Sequence, residues 1–388
     1  MLKKFILRNF KNFQDTIEFD FDKVGGYKFN QECVNNNIIS KSIIYGRNAT
    51  GKTNLGEAFG DIIELVKGDS VLWLTRKERI LNANSQEDRA TFSYEFAFDS
   101  DSVIYTYQRN NKNELCTEAL TVNSIPIFKV DFEKGILQDL NLSYIEAETI
   151  QLNKYTELIK HSIVDIEDEM NTHVPFLRFI LNNAVLPLDS VLLKLEDYVQ
   201  RMRLYSVTQQ IQTGMRPRLL ESFTEYLSKQ ENLIDFEQFL NTMGIECKLR
   251  VIQSIEGHYE LFFDYENPVP FYKNASSGTL SLVNFYRRYI VPIKKPSFIY
   301  MDEFDAFYHY EMAEKLVNYF KLKYPDCQVV LTTHNTNLMT NQLMRPDCLF
   351  ILSRSGKLTA LCDATERELR EGHNLEKLYI GGEFEQYE

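Results

Sequence analysis

The sequence predicts an α/β protein, a mixed sheet with flanking helices, and three short apolar runs carry that prediction. Residues 43–45, 298–301 and 329–331 each read as a buried strand, and each is followed at once by polar residues of defined chemistry. After the first run, Leu55, Phe59, Ile62 and Ile63 recur at helical spacing, which is the strand–turn–helix order of an α/β unit.

The elements follow in order. Phe5 and Leu7 alternate on one face of an opening strand, and Ile17, Phe19 and Phe21 repeat the pattern. Phe92-Tyr94-Phe96-Phe98 and Val103-Tyr105-Tyr107 do the same. Residues 22–37, with Gly25-Gly26 and Asn35-Asn36-Asn37, read as a long polar loop. An N-terminal lobe with antiparallel β-structure is therefore expected over 1–135. Farther on the texture turns helical. Leu188, Val191, Leu192, Leu195 and Val199 fall on one helical face, Leu219, Phe223 and Leu227 on another, and Pro187 and Pro217 stand where helices begin. Residues 136–244 are expected to form a lid-like helical insert, too short for a coiled-coil arm. Strands return at 245–265, and 245–388 reads as a C-terminal lobe of alternating helix and strand.

Hydrophobic residues make up 44% and charged residues 25%, the balance of a soluble globular chain. The net charge of −12 argues against a protein whose main task is coating DNA, although a local basic groove is compatible with it. The six cysteines are scattered with no C-x-x-C pair, which excludes a zinc ribbon and a disulfide framework and fits a reducing cytoplasm. Neither a signal peptide nor a run long enough to span a membrane is present in the pattern.

The turn after the first run is the most specific feature. Gly46-Arg47-Asn48-Ala49-Thr50-Gly51-Lys52-Thr53 is a complete phosphate-binding loop, Gly, four residues, Gly-Lys-Thr. Its glycines let backbone N–H groups wrap a triphosphate, Lys52 reaches the β/γ phosphates, and the Thr53 hydroxyl is a ligand for Mg²⁺. A helix opening at Lys52 aims its positive end at the phosphates. The second run ends in Asp302-Glu303-Phe304-Asp305. Asp302 is placed to hold the Mg²⁺ water shell, and Glu303 to orient and deprotonate a water. The third run ends in Thr332-Thr333-His334, where His334 can contact a γ-phosphate or that water. Ser276-Ser277-Gly278-Thr279 opens a further helix (Leu280, Val283, Phe285, Tyr289), either as simple capping or as a second anion site.

This order resembles the ABC-type P-loop ATPase head: Walker A at Gly46–Thr53, signature at Ser277-Gly278, Walker B with catalytic glutamate at Asp302-Glu303, D-loop at Asp305 and switch histidine at His334. The opening Leu7-Arg8-Asn9-Phe10-Lys11-Asn12-Phe13, together with Asn48 and Asn54, is similar to the SMC/RecF/OLD group within that class. Arg47-Asn48-Ala49-Thr50, Ser276–Thr279 and a tail with Leu369-Arg370, Asn374-Leu375-Glu376, Tyr379 and Gly381 resemble the stand-alone AAA_15 ATPases, often encoded in anti-phage or abortive-infection operons beside a separate effector gene. Two features depart from the group: Gly382-Glu383-Phe384-Glu385 lacks the second glycine of a Gly-x-Phe-Gly ending, and no Q-loop glutamine stands out, since Gln108, which follows a strand, reads more readily as an ordinary surface glutamine.

The resemblance implies ATP and Mg²⁺ as cofactors and slow, regulatory hydrolysis. It implies a homodimer or higher homo-oligomer in which Ser277 and Gly278 complete the site of the opposite subunit. It further implies a cytoplasmic sensor or scaffold for a bacterial anti-phage defence system, controlling a separately encoded nuclease or toxin, with a phage protein or DNA as trigger and no membrane. About 54 residues follow His334, too few for the Toprim nuclease that OLD-type relatives carry. A RecF-like DNA-repair ATPase is the alternative, and a housekeeping ATP switch the third reading.

Overall fold

In a computed structural model the described residues are 1–68, 79–164, 173–206, 217–255, 257–291 and 294–388. The apolar alternation of the N-terminal stretch builds one antiparallel sheet. Its strands are β1 (Leu2–Arg8), β2 (Ile17–Asp20), β6 (Arg89–Phe98), β7 (Asp101–Asn110), β8 (Leu115–Val122), β9 (Ile125–Asp131) and β10 (Ile136–Gln138). Their order is β10-β9-β8-β7-β6-β1-β2. Phe92, Tyr94 and Phe96 are all buried, as alternation with one covered face requires. The 22–37 stretch is less irregular than its composition suggests: a 3₁₀ turn at Gln31–Cys33 leads into β3 (Val34–Asn35), which pairs with β4 (Ile38–Ile39).

The second sheet holds the three apolar runs. Its order is β11-β15-β16-β5-β17-β18, from β5 (Lys41–Tyr45), β11 (Met202–Ser206), β15 (Phe298–Asp302), β16 (Gln328–Thr333), β17 (Leu349–Leu352) and β18 (Leu358–Ala360). All neighbours run parallel except β17 and β18. Because β5, β15 and β16 are buried along their whole length, they read as continuous apolar runs rather than alternating ones.

Helix α1 (Lys52–Lys67) lies between the two sheets and is buried on nearly every side. The Phe59 ring centroid sits 4.4 Å from Phe5 of the antiparallel sheet and 5.2 Å from Phe298 of the parallel one. Gly56 and Gly60, one turn apart, let the helix approach closely: a Cβ on Gly56 would meet Tyr300 at 2.5 Å, and one on Gly60 would meet Leu204 at 2.3 Å. Gln328 fastens the sheets at their other end, with Oε1 accepting from Leu2 N and from the Tyr198 hydroxyl while Nε2 donates to Leu2 O.

Residues 136–244 contain the expected helices: α2 (Leu152–Val164), α3 (Phe176–Asn183), α4 (Val191–Gln200), α5 (Pro217–Leu227) and α6 (Gln230–Thr242). They also supply β10 to one sheet and β11 to the edge of the other, so this stretch is woven into the core rather than set apart as a helical lid. The five residues of β11 are too few to show a strand period between helical segments. Leu188 departs from the expected helical face: α4 starts only at Val191, capped by Ser190, and Leu188 lies before it, 98% exposed. Residues 165–172 and 207–216 of the expected insert lie outside the described residues. The predicted return of strands appears as β12 (Leu249–Gln253), β13 (Tyr259–Phe263) and β14 (Val269–Pro270), followed by α7 (Phe271–Asn274) and α8 (Ser277–Phe285). After β15 come α9 (Tyr310–Lys323) and, near the tail, α10 (Leu375–Ile380).

Candidate functional site

The site forms where parallel strands of one sheet end together. The register pairs Thr333 of β16 with Tyr45 of β5, so His334 emerges beside Gly46, and Met301 of β15 pairs with Leu331, so Asp302 and Glu303 emerge on the other flank. Loops at the carboxyl ends of parallel strands are where α/β folds bind ligands.

The phosphate loop takes the shape its sequence dictates. Gly51 has φ 102° and Ala49 φ 65°, both left-handed, and α1 begins immediately after Gly51. Asn12, from the turn after β1, lies against it: Asn12 Nδ2 donates to Thr50 O at 2.7 Å, and Asn54 Nδ2 donates to Asn12 Oδ1 at 2.7 Å. A Cβ on Gly51 would sit 2.1 Å from the Asn12 side chain, so only glycine fits there. Asn48 and Ala49 are exposed at the crown of the loop.

Lys52 Nζ donates to Gly46 O at 2.9 Å and to Arg47 O at 3.1 Å, and lies 3.0 Å from His334 Nε2. Burial holds its pKa below the ordinary lysine value, with the charges of Asp302 and Glu303 opposing. The Thr53 hydroxyl donates to Asp302 Oδ2 at 2.5 Å, and the Thr332 hydroxyl donates to Asp302 Oδ1 at 2.8 Å. Burial raises the Asp302 pKa against those two hydrogen bonds. Thr332 Oγ1 also accepts from Glu303 N at 2.8 Å, and Glu303 has φ 49°, a strained turn that swings its carboxylate to within 3.3 Å of His334 Nε2. Asp305 accepts from the Thr333 hydroxyl at 2.8 Å, tying the loop after β15 to the base of the His334 turn, and burial raises its pKa as well.

A hydroxyl and a carboxylate oxygen 2.5 Å apart are a hard-oxygen pair that suits Mg²⁺ completed by phosphates and water. No group of three or more His, Cys, Asp or Glu side chains fit for a metal occurs among the described residues.

Lys52, Thr53, Asp302, Glu303 and His334 thus converge. Ser277 and Gly278 do not join them. Ser276 Oγ accepts from Thr279 N at 3.1 Å as an ordinary N-cap, Ser277 is exposed, and a Cβ on Gly278 would meet Phe307 O at 3.0 Å. Gln108 lies within β7, where Oε1 accepts from Thr117 and Nε2 donates to Thr91, a cross-strand role in the antiparallel sheet that agrees with its reading as an ordinary glutamine. Sequence reasoning missed Thr332, which positions both carboxylates, and the tail contact in which Glu388 Oε2 accepts from Arg47 Nε at 3.0 Å. Phe384, in the ending that lacks the second glycine, is fully buried.

Comparison with known proteins bears on this geometry. No curated protein matches the sequence. Among solved structures, an SMC head bound to the C-terminal winged-helix domain of ScpA aligns with TM-score 0.50 at 15% identity, over 93% of this chain and 97% of that one. An SMC head domain from Thermotoga maritima (TM-score 0.44, 15% identity, 92% and 98% covered) and one from Pyrococcus furiosus with an extended coiled coil, bound to the C-terminal domain of ScpA (0.47, 13%, 93% and 96%), also align. The first likeness gives the fold as that of an SMC-type P-loop ATPase head. Residues 41–340, which carry the phosphate loop, both carboxylates and His334, match the AAA_21 family model, so the chain belongs to the family described as an AAA domain, putative AbiEii toxin, Type IV TA system.

Proposed function

We propose that this chain is an Mg²⁺-dependent ATPase whose site is completed by a second copy, and that its nucleotide state controls a separately encoded effector in a bacterial defence system of the abortive-infection type. The observation that carries the reading is the convergence of Lys52, Thr53, Asp302, Glu303 and His334 while Ser277 and Gly278 stay on the surface without a bond to the phosphate loop among the described residues. A head that holds one of each part but keeps the signature turn outside its own site needs a partner to present that turn.

The roles follow from the chemistry. Gly46–Thr53 and Lys52 cradle the β/γ phosphates. Thr53 and Asp302 would hold magnesium, which when bound supplies charge neutralisation at those phosphates. Glu303 takes the proton of a water whose oxygen bonds to the γ-phosphorus as the bridging P–O bond breaks, and ADP and phosphate leave. His334, between Lys52 and Glu303, holds the γ-phosphate side of that water. Ser277 and the N–H groups at the start of α8 bind the γ-phosphate held by the other copy. The match to a family described as an AAA domain, putative AbiEii toxin, Type IV TA system supports a place in a system of the toxin–antitoxin kind, and the SMC head bound to ScpA supports the view that a head of this fold can carry a partner protein.

Lys52→Ala should lose ATP binding, whereas Glu303→Gln should bind ATP and leave it uncleaved. Wild-type turnover in Glu303→Gln would overturn the assignment. For the effector, co-purification with the product of a neighbouring gene should depend on ATP, and identical recovery with and without ATP would count against control by nucleotide state.

A further inference from the structure

Helix α8 runs without a break into a π-helical turn, Tyr286–Ile290, that carries Arg287 and Arg288. A π turn inside a helix is rare and concentrates at functional positions. Across from it lies β11, the edge strand of the parallel sheet, with Arg203 at its second position. The two elements meet through Tyr205 and Tyr289, whose ring centroids are 5.9 Å apart, and Arg203 and Arg288 both act electrostatically on the Tyr289 hydroxyl.

Among the described residues these arginines have no counter-charge. Arg203 Nη1 donates only to backbone, to Gln200 O and Met202 O at 2.8 Å, and among the described residues none of Arg203, Arg287 and Arg288 forms an ion pair with a carboxylate. Arg201 beside them is different, because it and Lys294 share Asp197. Burial lowers the pKa of Arg203 and of Arg287, and the adjacent charges of Arg201 and Arg288 add to it, which marks a crowded positive surface. The last turn of a helix favours cations, which accounts for Arg287 and Arg288 singly. Arg203 comes from a different element and likewise sits at a helix end, donating to Gln200 O, the last residue of α4, so helix ends rather than carboxylates hold all three.

We propose that the surface formed by Arg203, Arg287 and Arg288 docks an acidic segment of a partner protein. Three uncompensated arginines on a chain of net charge −12 are few for a nucleic-acid backbone, whose binding draws on roughly 6–10 phosphate contacts. They suffice for a short run of carboxylates, which the planar guanidinium fork matches in two-pronged fashion. Among the described residues no strand pairs with the outer edge of β11, which offers that run an extended strand to lie beside. The same helix that begins with Ser277 and Gly278 ends at these arginines, about 15 Å away at 1.5 Å per residue. A segment held there grips the far end of the element that would serve the second copy's nucleotide, a link that rests on the reading of α8 as the signature helix.

The test is fluorescence anisotropy with a labelled oligoglutamate peptide on the full chain, at about 50 mM salt where such contacts are strongest. The peptide should bind the wild-type chain. Arg287→Ala/Arg288→Ala and Arg203→Ala should each weaken it by about ten-fold or more, while Lys112→Ala, exposed on the distant β7–β8 turn, should not. ATP binding measured on the same variants reports their folding. Absence of peptide binding, or equal binding by all variants, overturns the proposal. So does a short DNA duplex that binds these arginines more tightly than the peptide, with a salt slope that falls by about 1 per arginine removed. Peptide binding by a wild-type chain that fails to bind ATP leaves the docking surface standing and removes the nucleotide reading instead.

Discussion

Lys52 Nζ lies 3.0 Å from His334 Nε2, so the last residue of the β16 turn touches the lysine of the phosphate loop directly. The same ring nitrogen is 3.3 Å from Glu303 Oε1. It can accept from the ammonium in one tautomer or donate to the carboxylate in the other, but not both. His334 therefore joins the loop that would hold phosphate to the group that would activate water, and a change at either end is felt at the other.

Thr332 is the residue on which the two carboxylates depend. Its hydroxyl donates to Asp302 and accepts from Glu303 N, and the side chain is fully buried. Thr332→Val keeps the shape and removes both bonds. It should cost about 1–3 kcal/mol in denaturant unfolding by leaving polar groups unpaired. Hydrolysis should fall well beyond any change in ATP affinity, and Thr332→Ser should restore it. Unchanged turnover in the valine variant would show that Thr332 does not position Glu303.

Asp61 anchors α1 to the antiparallel sheet. Its Oδ2 accepts from Arg109 Nε at 2.8 Å and from the Tyr107 hydroxyl at 2.7 Å, with all three side chains buried. Asp61→Ala strands the Arg109 charge, with Glu64 4.0 Å away as a poor substitute. The expected loss is about 3–5 kcal/mol. A loss below about 1 kcal/mol would mean that Arg109 finds solvent when Asp61 is gone. By contrast the Arg47–Glu388 contact, with Arg47 more than half exposed, is screened by solvent, and Glu388→Ala should leave the unfolding midpoint almost unchanged.

Glu118 predicts a pH dependence. It accepts from Phe176 N at 2.6 Å, from Leu177 N at 2.9 Å and from the Tyr105 hydroxyl at 2.9 Å, which makes it the cap of α3 supplied by β8. Burial pushes its pKa up to about 7 from the usual 4.5 in spite of those donors and the nearby Arg178. Between about pH 4.5 and 7 the folded chain keeps a proton that the unfolded chain releases, so this group's contribution to stability falls as pH rises through that window. Glu118→Gln keeps an acceptor and removes the titration. Thermal unfolding followed from about pH 5 to 7.5 should show a shallower decline in the variant, by up to about 3 kcal/mol over the window. Parallel curves would place the carboxyl outside that range.

The parts of the site that the sequence disclosed are those where chemistry constrains residue type at fixed spacing. Gly51 is forced by its left-handed φ and the Asn12 side chain, and Lys52, Thr53, Asp302 and Glu303 follow strands whose complete burial shows as unbroken apolar runs. Thr332 left no mark, because a threonine in a buried strand is equally an ordinary strand former until its hydroxyl is seen between the Asp302 carboxylate and the Glu303 backbone N–H. Strand β11 was hidden by its five-residue length. Gly56 and Gly60 went unread in the sequence, and are where Tyr300 and Leu204 press against α1.

The central claim is that one chain holds half of a composite site. The direct measurement is analytical ultracentrifugation of Glu303→Gln with and without MgATP, repeated with Ser277→Arg added. ATP should shift Glu303→Gln to a larger assembly, and Ser277→Arg should abolish that shift while the chain still binds ATP. An ATP-loaded Glu303→Gln that sediments as it does without nucleotide, or a shift untouched by Ser277→Arg, would contradict the account.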